Sequence, residues 1–282
     1  MSTIKSVGVI GAGTMGLGIA QVCATAGYPT FIFDADKNVV EKALQAIEKN
    51  LDKGIEKGKL DSSQKTATLE KLQFVEELEQ LKADLIIEAI IERLEIKQQV
   101  FRILEKVNSP YSILATNTSS IPITQIASSL KNPKRVIGLH FFNPAHIMKL
   151  VEVISGATTD QSVVDQIVLF TKTIGKVPVL AADSPGFIVN RVARHFYVES
   201  LKVLEEGVSD IEGIDRLVEA TGFKMGPFRL MDLIGVDTNL SVTKSMFNAF
   251  HQDSKFRPSR IQQQKVDAGH HGRKTGRGFY KY

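Results

Sequence analysis

A chain of 282 residues, 43% of them apolar, can bury a core the size of one large domain or two ordinary ones, which excludes a disordered protein. Its 35 Lys and Arg against 31 Asp and Glu leave a formal charge of only +4, too little for a nucleic-acid surface but compatible with an anionic small ligand held by a few local cations. The lone cysteine, Cys23, rules out an intramolecular disulfide and reads as a small core residue. The apolar run at 7–11 is far too short for a signal sequence or membrane span, so a cytoplasmic protein with no membrane partner is expected.

In chain order, the apolar runs 4–10, 30–33, 84–89, 113–115 and 135–141 predict strands, and the spacing predicts helices over 39–51 and 96–107. Such alternation means a mostly parallel sheet covered on both faces. The charged stretch 49–71, with Lys53-Gly54 and Lys57-Gly58, is expected to be an exposed excursion, and a further strand begins at Lys149. Beyond about Asp183 the periodicity turns helical, with no convincing strand. Pro185 suits a first helical turn; Phe187, Val189, Val192, Phe196, Leu201 and Leu204 can then share an apolar face. Gly207 can end that helix, and Ser209 or Asp210 can cap the next. An α/β domain over 1–184 and an all-helical domain over 185–282 are therefore expected.

Gly11-Ala12-Gly13-Thr14-Met15-Gly16 follows the first strand and opens a helical stretch. Gly11 permits a tight turn, Gly13 lets backbone approach a pyrophosphate, and Gly16 allows close helix–strand packing. The N–H groups of Thr14, Met15 and Gly16 at the helix start then face an anion. The second strand ends in Asp34, eighteen residues past Gly16, where a carboxylate can accept from both adenosine ribose hydroxyls and repel a 2′-phosphate. Strand, glycines, helix, strand and acid in this order predict a Rossmann-type domain that binds NAD rather than NADP, although Asp36 and Lys37 also stand near the ribose position.

Polar residues gather where a sheet usually keeps apolar ones. Ala115-Thr116-Asn117-Thr118-Ser119-Ser120 follows a strand, at the edge where open α/β sheets place ligands. Gly138-Leu139-His140-Phe141-Phe142-Asn143-Pro144 is a strand running into a turn, and Lys149-Leu150-Val151-Glu152-Val153 begins another. A hairpin centred on His146 sets His140 opposite Glu152, each six residues from the centre, and a carboxylate there fixes the imidazole tautomer. Histidine can take a hydroxyl proton as hydride leaves carbon and return it in reduction.

Together these strings resemble the 3-hydroxyacyl-CoA dehydrogenase family. So do Pro185-Gly186-Phe187-Ile188-Val189-Asn190-Arg191, Met225-Gly226-Pro227 and the closing Gly272-Arg273-Lys274-Thr275-Gly276-Arg277-Gly278-Phe279-Tyr280. The similarity spans nearly the whole chain, and the length matches the short members that act on 3-hydroxybutyryl-CoA. The resemblance implies His140 as catalytic base and acid, Glu152 as its partner, and Ser119 on the substrate 3-oxygen near the nicotinamide. It implies Asn190 on that oxygen and the thioester end. Cofactor contacts are implied for Glu92, Lys97, Asn117, Asn143 and Lys274, and CoA phosphate contacts for Lys53 and Lys57. It also implies an acyl-CoA substrate, a homodimer through the helical domain, and a place in fatty-acid or butanoate metabolism.

Blander readings stand beside these. Ser119 can cap the following helix, Glu152 can be an exposed strand residue, Asn190 a helix-start hydrogen-bonder, and Lys53 and Lys57 solvated charges. His146, His195, His251, His270 and His271 lack metal-ligand spacing, so no metal is expected. Two other functions compete: a non-catalytic dinucleotide-binding structural protein, and a free 3-hydroxy acid dehydrogenase. The set Ser119, His140, Glu152 and Asn190 argues against the first. The absence of a lysine where Asn190 and Arg191 stand argues against the second.

Overall fold

Short apolar runs bounded by Gly, Asp and Asn make the central strands of the computed structural model, which describes residues 4–282. These are β1 (Val7–Ile10), β4 (Leu85–Glu88), β5 (Ile113–Thr116) and β6 (Val136–Phe141), every residue buried. Burial on both faces is why they read as continuous apolar runs rather than alternating ones. With β2 (Thr30–Phe33), β3 (Leu72–Phe74), β7 (Leu150–Ser155) and β8 (Val177–Ala182) they form one sheet in the order β3-β2-β1-β4-β5-β6-β7-β8. Every pairing is parallel except β6 with β7. The chain steps outward from β1 to β3, then returns to β4 on the other side of β1. This reversal is a switch point, beyond whose strand ends a crevice opens.

Helix α1 (Thr14–Thr25) packs on the sheet through Ile19, Ala20 and Cys23. Burial pushes the Cys23 thiol up to about 12, so it is a core residue and no nucleophile. Helix α2 runs over Lys37–Glu56, longer at both ends than its apolar face alone predicts, because the Asp36 carboxylate accepts from the Asn38 N–H and starts it early. The charged excursion proves to be ordered: α2 turns into α3 (Ser62–Glu70), which Asp61 and Gln64 open with a reciprocal capping box. The sequence reading also missed β3 and β8. The first is three residues long and edge-exposed; the second carries Pro178 and an exposed Leu180, as edge strands do. Helices α4 (Leu94–Val107), α5 (Ile123–Ala127) and α6 (Gln161–Thr173) complete this part.

Contacts divide the chain into two compact units, Met1–Ser184 and Pro185–Tyr282. The second contains α7 (Val189–Glu205), α8 (Ile211–Ala220), α9 (Pro227–Ile234), α10 (Val236–Ala249) and α11 (Arg260–Asp267) around Tyr197, Leu201, Phe228, Met231 and Phe279. Helix α7 begins four residues later than Pro185 suggests, since Gly186 and Phe187 adopt φ of 73° and 50°, outside the helical region. Its buried face accordingly runs through Arg194, Tyr197, Val198 and Leu201, and Val192 lies 68% exposed instead of joining it. Asp210 caps α8 by accepting from the Gly213 N–H.

The closing glycine-rich motif is explained by packing. Buried Asp232 accepts from the N–H groups of Phe279 and Tyr280, both at 2.9 Å, and from the Tyr282 hydroxyl. Buried Asp215 accepts from the Tyr280 hydroxyl and from two N–H groups that start α9. Among the described residues no helix is long and apolar enough to cross a membrane, and no group of three or more His, Cys, Asp or Glu could hold a metal.

Candidate active site

The turn after β1 needs its glycines for two different reasons. Gly11 has φ 94°, and a Cβ there would press on the Ala89 carbonyl at 2.7 Å. A Cβ on Gly16 would overlap the Gly11 carbonyl oxygen. Gly13 differs, because nothing of the protein lies within 4 Å of where its Cβ would be. The chain itself places no steric demand on glycine there, whereas a ligand lying against the backbone does. No side chain caps the start of α1 at Gly13, so its first N–H groups are left for an anion to accept from. Thr14 is exposed and Met15 packs partly against the core.

Across this turn, Asp34 ends β2 and its Oδ2 accepts from the Ala12 N–H at 2.7 Å, while Oδ1 accepts from the Asp36 N–H. The carboxylate is thereby fixed beside the glycine turn. Asp36 is occupied at the start of α2, and exposed Lys37 lies 3.8 Å from Glu76.

On the other side of the switch point, β4 and β5 end in a polar network. Glu92 Oε1 accepts from the N–H groups of Ser119 and Ser120 and from the hydroxyls of Thr118 and Ser120, which holds the loop after β5. Burial would raise the Glu92 carboxyl, but Lys97 and these donors outweigh it and hold it below its ordinary value. Lys97 is 1% exposed, with its ammonium 2.6 Å from Glu88 and 3.2 Å from Glu92. It is therefore held between these two carboxylates. Asn117 Oδ1 accepts from the Phe141 N–H, tying this loop to β6. Ser119 does not cap α5; the N–H groups of Ile123 and Thr124 both donate to Asp183.

The antiparallel ladder of β6 and β7 sets His140 directly opposite Glu152. His140 Nδ1 lies 2.7 Å from Glu152 Oε2, with the imidazole nearly buried and the carboxylate wholly so. A carboxylate acceptor selects the tautomer with its proton on Nδ1, making Nε2 the nitrogen that takes or gives a proton. The ring of Phe142 lies 4.6 Å away, centroid to centroid. Asn143 is exposed in the connection that follows.

A cleft of about 520 Å3 opens on the same unit, between the end of α1, the end of α2, and the segments before β7 and β8. Lys53, Lys57, Lys59, Lys149, Lys176 and His146 line it. Only Lys53 and Lys57 were expected at a phosphate-binding surface; Lys59, Lys149, Lys176 and His146 join them through the fold. Lys176 donates to the carbonyls of Ala145 and Met148 and so holds the loop beside His140 in shape. Burial, Lys176 and Lys53 together push the His146 imidazole below its ordinary value, as expected in a field of like charge. In the helical unit, Asn190 is the second residue of α7 and half-buried, and the exposed Lys274 ammonium lies 2.7 Å from Asp237.

A model of the 3-hydroxyacyl-CoA dehydrogenase NAD-binding domain matches residues 6–184, and a model of the same family's C-terminal domain matches residues 186–282. The chain belongs to the 3-hydroxyacyl-CoA dehydrogenase family. Among family members, it is 48% identical to 3-hydroxyadipyl-CoA dehydrogenase of Escherichia coli K12 over 100% of its own length, and spans 60% of that longer relative. A probable 3-hydroxybutyryl-CoA dehydrogenase of Bacillus subtilis is 40% identical, with 99% of this chain and 98% of the relative covered. The crystal structure of (S)-3-hydroxybutyryl-CoA dehydrogenase from Ralstonia eutropha is similar with a TM-score of 0.95 at 38% identity, covering 99% of each chain. Family membership makes NAD the cofactor of the first unit. The residues present fit it: an open position at Gly13, the uncapped start of α1, and a carboxylate fixed at the end of β2.

Proposed function

We propose that this NAD-dependent oxidoreductase interconverts (S)-3-hydroxyacyl-CoA and 3-oxoacyl-CoA, with 3-hydroxybutyryl-CoA and acetoacetyl-CoA as the preferred pair. The observation that carries the reading is the buried 2.7 Å contact between His140 Nδ1 and Glu152 Oε2. Bound NAD would supply the hydride acceptor for oxidation at C3 of the substrate, and its reduced form the donor for the reverse. His140 Nε2 takes the proton of the 3-hydroxyl in oxidation and gives it back in reduction. Glu152 keeps Nδ1 protonated and balances the positive charge that the imidazole acquires. Ser119 hydrogen-bonds the 3-oxygen, a role that rests on the family resemblance, as does a contact of Asn143 with the cofactor. CoA carries several phosphate charges, and the lysines around the cleft supply cations for them. Lys53, Lys57, Lys59 and Lys149 form no ion pair among the described residues.

The assay is NADH oxidation with acetoacetyl-CoA by wild type and His140→Gln. The variant should lose about 10²–10⁴-fold in turnover, the usual scale for a general acid–base group. Near-normal turnover would remove the mechanism. The helical unit is proposed to form a homodimer interface, and a monomeric mass by light scattering would refute that.

A second reading concerns the acyl chain. The E. coli relative, 48% identical over the whole of this chain, is named for 3-hydroxyadipyl-CoA, whose acyl chain ends in a carboxylate. Comparing 3-oxoadipyl-CoA with acetoacetyl-CoA at equal concentration decides between the two.

A further inference from the structure

The polar network behind the Ser119 loop contains a buried ion pair that the proposed mechanism does not use. Glu88, the last residue of β4, is wholly buried. Its Oε1 accepts from Lys97 Nζ at 2.6 Å and from the Ile90 N–H at 2.7 Å, and its Oε2 accepts from the Thr116 hydroxyl at 2.7 Å. Thr116 Oγ1 in turn accepts from the Thr118 N–H at 3.2 Å. From Lys97 the chain continues at 3.2 Å to Glu92, and from Glu92 to the backbone of Ser119 and Ser120. Two routes thus run from one buried carboxylate to the loop that carries Ser119. A buried ion pair is seldom a gain in stability over apolar packing, so its presence calls for another reason.

Location supplies one. Asp34 lies at the end of β2, on one side of the switch point, and suits the adenosine ribose. The other half of a dinucleotide must then lie over the ends of β4 and β5, where Glu88, Glu92, Thr116 and Ser119 stand. Two carboxylates against one ammonium leave this triad with one net negative charge. The oxidised nicotinamide ring is a cation and the reduced ring is neutral, so a fixed negative charge beneath it favours the oxidised form.

We propose that Glu88 and Lys97 are positioning residues that hold Glu92 and the Ser119 loop in place, and that the net charge of the Glu88–Lys97–Glu92 triad sets the relative affinity for NAD+ and NADH. The proposal rests on the dinucleotide site described above. It differs from a purely structural role in one respect: charge, and not shape alone, decides the outcome.

The test compares wild type, Glu88→Gln and the double variant Glu88→Gln/Lys97→Met. NADH binding is followed by its fluorescence and NAD+ binding by competition, with the thermal midpoint and kcat measured alongside. Glu88→Gln leaves the triad neutral, so the ratio of the NAD+ to the NADH dissociation constant should rise by at least about threefold. In the double variant Glu92 alone carries the charge, one negative as in wild type, and the ratio should return to within about twofold of it. That variant frees Glu92 from the ammonium that fixes it, so its kcat should still fall about tenfold. Equal weakening of both cofactor forms in Glu88→Gln, or a ratio still displaced in the double variant, would overturn the proposal. If Glu88→Gln fails to fold, the double variant, with its neutral interior, decides by its ratio and kcat together. A wild type that binds neither form would overturn the dinucleotide reading itself, and this proposal with it.

Discussion

Replacing Glu152 by Gln isolates the contribution of charge at the proposed catalytic pair. Glutamine keeps the shape of the side chain and an oxygen that can accept from His140 Nδ1, so the 2.7 Å contact can survive without its negative charge. A hydrogen bond to a charged group contributes about 1.5–3 kcal/mol and a neutral one about 0.5–1.5, so the variant loses at least about 1 kcal/mol of support for the imidazolium. Direct attraction sets the upper limit. Unit charges about 4 Å apart in an effective dielectric of about 20 attract by roughly 4 kcal/mol, a factor of about 10³. Rotation of the amide would present its NH2 to Nδ1 and select the wrong tautomer, which pushes the effect toward that limit. Turnover with acetoacetyl-CoA and NADH should therefore fall between about fivefold and about 10³-fold, while the dissociation constant for NADH stays within about twofold. Initial rates at saturating substrate, with circular dichroism to check the fold, provide the assay. A folded variant whose kcat lies within threefold of wild type would refute the assignment of charge support to Glu152.

Three further outcomes follow from the geometry. Asp34→Ala should weaken NAD binding and relax discrimination against NADP, since it removes both the ribose acceptor and the acceptor for the Ala12 N–H; unchanged dissociation constants for both cofactors would mean that the acid lies elsewhere. Lys53→Glu/Lys57→Glu should raise KM for acetoacetyl-CoA about tenfold or more, with little change in kcat and a smaller effect at high salt; a KM that does not move would make these two lysines solvated charges. Asp232→Ala strands the N–H groups of Phe279 and Tyr280 in a buried place. It should cost about 2–5 kcal/mol in urea unfolding, and a loss under 1 kcal/mol would show that the C-terminal segment is held by other contacts.

Much of the first unit was legible because its signals are local. The glycine turn, the apolar strand before it and the acid ending the next strand each announce a backbone requirement within a few residues. The opposition of His140 and Glu152 followed from counting outward from the turn, since a short hairpin fixes its own register. What escaped depends on distant partners. Glu88 looks like an ordinary strand-end acid until the fold brings Lys97 and Thr116 to it from two other elements. Lys97 entered through the family resemblance alone; that it is buried against Glu88 follows only from the packing of α4. Lys59, Lys149, Lys176 and His146 share a cleft assembled from four segments, and no spacing rule links them. The start of α7 was misplaced because Pro185 is compatible with a helix, whereas the left-handed backbone at Gly186 and Phe187 is set by what they pack against.

The most direct measurement is NADH oxidation by the purified protein with acetoacetyl-CoA and, in parallel, with free acetoacetate. The account predicts rapid loss of NADH absorbance with the thioester and none above background with the free acid. Consumption of free acetoacetate, or of neither compound while NADH still binds, would contradict it.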